Sequence, residues 1–223
     1  MSDATADFEA ATERLTRRVH LGLRAGSLDS RDVVALACEL FDRSLRTDAV
    51  VEVVERNPSE VPRAEMTVLA RRILHDIGFD PGFDLAPERL ETLRAALRIV
   101  ARDLPTRGIR GEPEIEVLED CHPVGAGVRL ADGERLDRGG PVQPSQCDDP
   151  TTALTGLAIL IQESLLERTW QVWPVCARHR LGVHGSEREG AAVWWCAGDG
   201  GHALARVGEL SRTAGRRSRH SPL

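Results

Sequence analysis

The feature that most constrains this chain lies in its last quarter, where Cys176 and His179 form C-x2-H and Cys196 and His202 form C-x5-H. A structural zinc site takes four ligands, nearly always Cys sulfur or His nitrogen in a tetrahedron. The two pairs supply that set. Between them runs an apolar-aromatic stretch, Ala191-Ala192-Val193-Trp194-Trp195, that reads as a strand holding two ligand-bearing turns against each other. Inside the second pair lies Ala197-Gly198-Asp199-Gly200-Gly201, whose glycines permit the positive φ angles of a tight metal-gripping turn. The expectation is one structural Zn2+ on Cys176, His179, Cys196 and His202, stapling a zinc ribbon over residues 170–210. His184 is an alternate ligand in place of His179 or His202.

The rest of the chain is read from its periodicity. Up to Leu104 the apolar spacing is helical. The first helix carries Phe8, Ala11, Leu15, Val19 and Leu23 and ends near Gly26. A second covers Arg31 to Leu45, capped by Asp29 or Ser30, with Val34, Ala37, Cys38, Leu40 and Phe41 in its apolar stripe. Thr47 caps a third through Val50, Val51 and Val54, and Pro62 opens a fourth through Met66, Leu69 and Ile73. Pro87 opens a fifth running from Leu90 to Leu104. Five helices with short connections describe an all-α bundle over residues 1–105.

From Pro105 the texture changes to period-two alternation, at Glu114 to Leu118 and Gly127 to Leu130, with an Asp132-Gly133 hairpin turn before Arg135 and Leu136. The lone G-x-G at Gly125 to Gly127 reads as a turn before a strand. Asp149 and Pro150 then start an apolar helix through Leu154, Leu157, Ile161 and Leu165. The expected fold is α+β: a helical bundle, a small α+β module over residues 106–210 ending in the ribbon, and a basic, disordered tail over residues 211–223.

Composition limits what such a chain does. The net charge is −6, and the tail holds Arg212, Arg216, Arg217 and Arg219, so the rest of the chain carries about −10. An acidic body argues against broad phosphate-backbone binding, so nucleic acid is an unlikely partner. Met1 to Ala11 has no apolar h-region, and no stretch approaches the roughly 18 apolar residues that span a bilayer, which points to a cytoplasmic chain without membrane contact. In that reducing compartment the odd count of five cysteines favours thiolate ligands at Cys176 and Cys196 over half-cystines, leaving Cys38, Cys121 and Cys147 as ordinary thiols.

Catalytic patterns are missing. There is no G-x-S-x-G elbow, phosphate-binding loop, dinucleotide fingerprint, H-E-x-x-H or deaminase signature. Cys121-His122 sits at i and i+1, which on a strand diverge to opposite faces. His75-Asp76 diverges by about 100° on a helix. Glu187, Glu189 and Asp199 are the acid/base candidates for a catalytic zinc and read instead as solvated loop charges. All four tryptophans fall between Trp170 and Trp195, and Trp194 and Trp195 alternate on their strand, so one faces the core and the other is a candidate partner contact.

The run Trp173-Pro174-x-Cys176-x-x-His179, then Val193-Trp194-Trp195-Cys196, Gly201-His202 and Ala205-x-Val207-Gly208-x-Leu210, resembles a C-terminal segment of uncharacterised actinobacterial proteins. The resemblance spans about 40 residues, places Ala177 where those segments carry Pro, and implies no activity. The absence of lysine among 29 basic residues fits the GC-rich codon usage of such a source. The functional expectation is a non-catalytic, zinc-stabilised interaction or regulatory protein that meets an unidentified protein partner and no small-molecule substrate. The alternatives are a zinc-dependent hydrolase-type enzyme and a nucleic-acid binder using the ribbon and the Arg-rich tail.

Overall fold

The computed structural model describes residues 3–119 and 124–211, and side chains from Ala10 onward. The Cys121-His122 pair, the Phe8 side chain and residues 212–223 of the basic tail lie outside the described residues. The chain is α+β, and it divides into two compact units, Met1–Pro81 and Gly82–Leu223.

The first unit holds α1 (Asp3–Arg24), α2 (Ser30–Asp42), α3 (Asp48–Glu55) and α4 (Arg63–Asp76). Their starts follow local chemistry. Asp29 accepts the Arg31 backbone N–H at the head of α2, and Thr47 accepts that of Val50 at the head of α3, each satisfying an amide the helix leaves orphaned. Val33, Leu36, Ala37 and Leu40 form the buried stripe of α2, at i, i+3, i+4 and i+7, and pack with Val50 and Val53 of α3 and with Leu69 and Ile73 of α4. Cys38 was expected in that stripe, but its thiol is exposed. One residue past Ala37 it is turned about 100° away, towards solvent. Val34 and Phe41 sit at the stripe's edges, half-buried.

The second unit begins ahead of α5 (Pro87–Val100), well before the change of texture at Pro105. The helix belongs here because Leu93, Leu97 and Val100 share one core with Leu157, Ile161 and Leu165 of α6 (Pro150–Thr169). Between the two helices in chain order comes an antiparallel sheet of β1 (Glu114–Leu118), β2 (Gly125–Arg129) and β3 (Arg135–Leu136). The Gly125-Ala126-Gly127 segment is therefore part of a strand, not a turn before one. A side chain at Gly125 would meet Pro141 at 2.6 Å, where the chain returns to pair Val142 with Ala126.

A second antiparallel sheet follows α6: β4 (His184–Arg188), β5 (Ala191–Cys196) and β6 (His202–Arg206). Asp149 caps α6 through the Thr152 N–H at 2.8 Å, with Pro150 in its first turn. The helix buries Ala153, Leu157, Leu160, Ile161 and Leu165, more than one face of it, because α5 and both sheets pack around it. Buried Arg89 of α5 grips Asp148 with two parallel bonds of 2.7 Å, fixing the approach to α6. No helix among the described residues is long and apolar enough to cross a membrane.

Candidate metal centre

Two turns, both in the second unit, bring four side chains together. The first is the loop from Pro174 to Gly182. The Cys176 N–H donates to Leu181 O and the Arg180 N–H to Cys176 O, each at 2.8 Å, and Arg180 takes a φ of +58° to close the turn. Cys176 and His179 are thereby held on its inner side. Buried Gln162 of α6 fastens the base of this loop, its amide donating to Trp173 O at 3.1 Å and to Val183 O.

The second turn joins β5 to β6, whose register places Cys196 opposite His202. Gly200 and Gly201 take φ of +76° and +56°, the left-handed conformations expected of this glycine-rich turn. Gly198 is required for a different reason. A Cβ there would sit 2.2 Å from His179 Nδ1, so only a bare backbone lets the two turns meet. Its N–H also donates to Cys196 Sγ at 3.4 Å.

The ligand atoms of Cys176, His179, Cys196 and His202 all lie within 4.8 Å of one another. Cys176 Sγ is 3.9 Å from His179 Nδ1 and 3.5 Å from His202 Nε2, and Cys196 Sγ is 3.2 Å from His179 Nδ1. A tetrahedral site with metal–sulfur bonds of about 2.3 Å and metal–nitrogen bonds of about 2.0–2.1 Å puts neighbouring ligand atoms about 3.3–3.8 Å apart. These three distances lie close to such edges, and the cluster could hold a metal ion. Both sulfurs are buried and both imidazoles half-buried. Burial pushes the Cys176 thiol up, but the N–H of His179, the Cys196 side chain, the N–H of Arg178 and the Arg178 charge outweigh it and hold the thiol below its ordinary range. His202 Nδ1 is buried and has no partner among the described residues, so this ring lacks the outer hydrogen bond that usually orients a ligating imidazole.

The structure keeps the other candidates apart. His184 pairs across the sheet with Trp195, one residue before Cys196, so it stands on the face opposite Cys196 and is exposed. Glu187 pairs with Ala192, and both it and Glu189 lie at the far end of the β4–β5 hairpin, four residues or about 13 Å of strand from Cys196. Asp199 is in the metal-side turn but exposed, and no carboxylate belongs to the cluster. His75 and Asp76 lie in the other unit, with Nδ1 3.5 Å from Oδ1 and the imidazole almost wholly exposed.

Of the two candidate partner contacts, Trp194 is the one that faces the core, where it is fully buried. It packs edge-on against Trp173, with ring centroids 5.3 Å apart. Trp195 is half-buried beneath the Arg188 guanidinium, 4.9 Å from the ring centroid. Among the described residues the most exposed large apolar side chain is Trp170, at 86%, in a left-handed conformation where α6 ends. Sequence also gave no sign of Asp103, a fully buried carboxylate. It accepts the Trp194 indole N–H and the Gly208 N–H at 2.7 Å and the Leu210 N–H at 2.8 Å. Burial pushes its carboxyl above the ordinary value against these three donors, and the Glu209 charge adds to the push.

Comparison of the chain with protein-family models, curated proteins and solved structures finds no match in any of the three. No family is therefore shown for the chain, and the functional reading rests on the geometry of the cluster.

Proposed function

We propose that this is a non-catalytic interaction or regulatory protein whose second unit is stapled by one structural Zn2+ on Cys176, His179, Cys196 and His202, in the manner of a zinc ribbon. The observation that carries this reading is the closure of the ligand set. Four soft or borderline donors, enough for the four vertices of a tetrahedron, lie within 4.8 Å of one another, the sulfurs are buried, and no carboxylate belongs to the cluster. A catalytic zinc keeps a position open for water and a proton acceptor near it, and neither has a counterpart in the cluster. Zinc suits a Cys2His2 set better than the hard cations, which take oxygen ligands. Trp170, Val172 and Leu181 are exposed apolar side chains flanking the Cys176–His179 loop, which supports contact with a protein partner there.

The test is metal analysis of the purified chain with X-ray absorption at the zinc edge. The expected result is zinc bound through two sulfurs and two nitrogens, lost in Cys176→Ser and retained in His184→Ala. A shell containing a water oxygen would favour a zinc enzyme, and zinc retained at full occupancy in Cys176→Ser would overturn the ligand assignment.

A further inference from the structure

Apart from the metal cluster, the second unit holds a cleft of about 320 Å³ between the segment that follows α5 and the C-terminal end of α6. Its apolar lining is Ile109, Leu130 and Leu165, the last two being core residues. Three arginines stand around it, Arg107, Arg110 and Arg168, against a single acid, Asp132. In a chain of net charge −6 this is a local reversal of sign.

The three cations are not equivalent. Arg168 is neutralised by an ion pair with Glu134. Arg107 donates through Nη2 to Thr169 Oγ1 at 3.0 Å and to Gln171 Oε1 at 2.9 Å, both uncharged acceptors, while its Nε is buried with no hydrogen-bond partner. Neither Arg107 nor Arg110 has an ion-pair partner among the described residues. A guanidinium whose Nε is desolvated and whose charge has no counter-charge is an incomplete arrangement, because buried donors and charges are normally satisfied. Gly111, with φ of +90°, lets its loop press on the β2–β3 turn, where a Cβ would stand 2.4 Å from that of Ala131. Asp132 itself is engaged by the Glu134 N–H at 3.1 Å.

We propose that this cleft binds a small amphipathic anion, whose carboxylate or phosphate completes Arg107 and Arg110 and whose short apolar tail covers Ile109, Leu130 and Leu165. The volume is at the lower end of the roughly 300–1,000 Å³ of small-molecule sites, which fits one compact ligand. Carboxylates and phosphate monoesters both match the planar fork of a guanidinium. The site goes beyond the metal reading and shares no residue with it.

Equilibrium binding of octanoate and of octyl phosphate to the full-length, zinc-loaded chain tests this, with octanol as the uncharged control and zinc content measured in every sample. At least one anion should bind more tightly than octanol, and which of the two does so identifies the headgroup. Arg110→Ala, an exposed residue whose loss leaves the core intact, should weaken that binding by about tenfold, the effect of losing one charge-assisted hydrogen bond. Arg107→Gln should weaken it at least as much with zinc content unchanged. Anions that bind no better than octanol, or binding unaltered in Arg110→Ala, would overturn the proposal. Zinc content reports separately on the metal site.

Discussion

Asp103 shows how much one side chain can organise. Its carboxylate gathers donors from residues 91, 105 and 107 positions away, which fastens the end of α5 to β5 and to the chain after β6. Asp103→Ala would leave three N–H groups without an acceptor while removing a buried charge. At about 1–3 kcal/mol per orphaned donor, less the relief of desolvation, the second unit should lose about 2–4 kcal/mol in urea unfolding. The pH dependence has a definite sign. Because burial raises the native carboxyl above its unfolded value, the folded chain holds this proton to higher pH, and the residue's contribution to stability falls as pH rises through the native value. Asp103→Asn should flatten that fall, and parallel pH profiles for variant and parent would contradict the account. Nothing in the sequence marks Asp103, since its partners lie far along the chain and follow no spacing rule.

At the scale of the element, what was legible was local. The caps Asp29, Thr47 and Asp149, the hairpin turn at Gly133, strand β5 and the C-x2-H and C-x5-H pairs all depend on residues within a few positions of each other, and each forms as its sequence dictates. α3 shows the strength of such signals. Its run of valines is a poor helix former, yet Ala49, Val50 and Val53 are buried and Thr47 closes its head. Thr47→Ala should cost the first unit about 1 kcal/mol, read as a lowered urea midpoint with unchanged slope. A neutral outcome would mean that packing alone holds α3. What was not legible is which element an apolar face meets. The stripe of α5 resembles those of α1 to α4, but its partner is α6, and Cys38 looked like core because the width of a stripe is not written in its spacing.

On the scale of the whole molecule there are two cores, one within residues 1–81 and one uniting α5, α6 and both sheets. Each unit should melt with its own transition, and a zinc chelator should lower the second while leaving the first in place. The second transition should shift without vanishing, because the segment bearing the Cys/His cluster shares its core with two long helices. A chelator that moved both transitions, or neither, would refute this. The Gln162 amide gives that core a further property. By gripping Trp173 O and Val183 O it pins both feet of the Cys176–His179 loop to α6, so the loop is anchored by protein and only its tip depends on the ion. A site without its ion would thus keep its ligands close at hand, and a metal ion could come and go as a reversible local event, like a buckle unfastened on a strap that stays threaded.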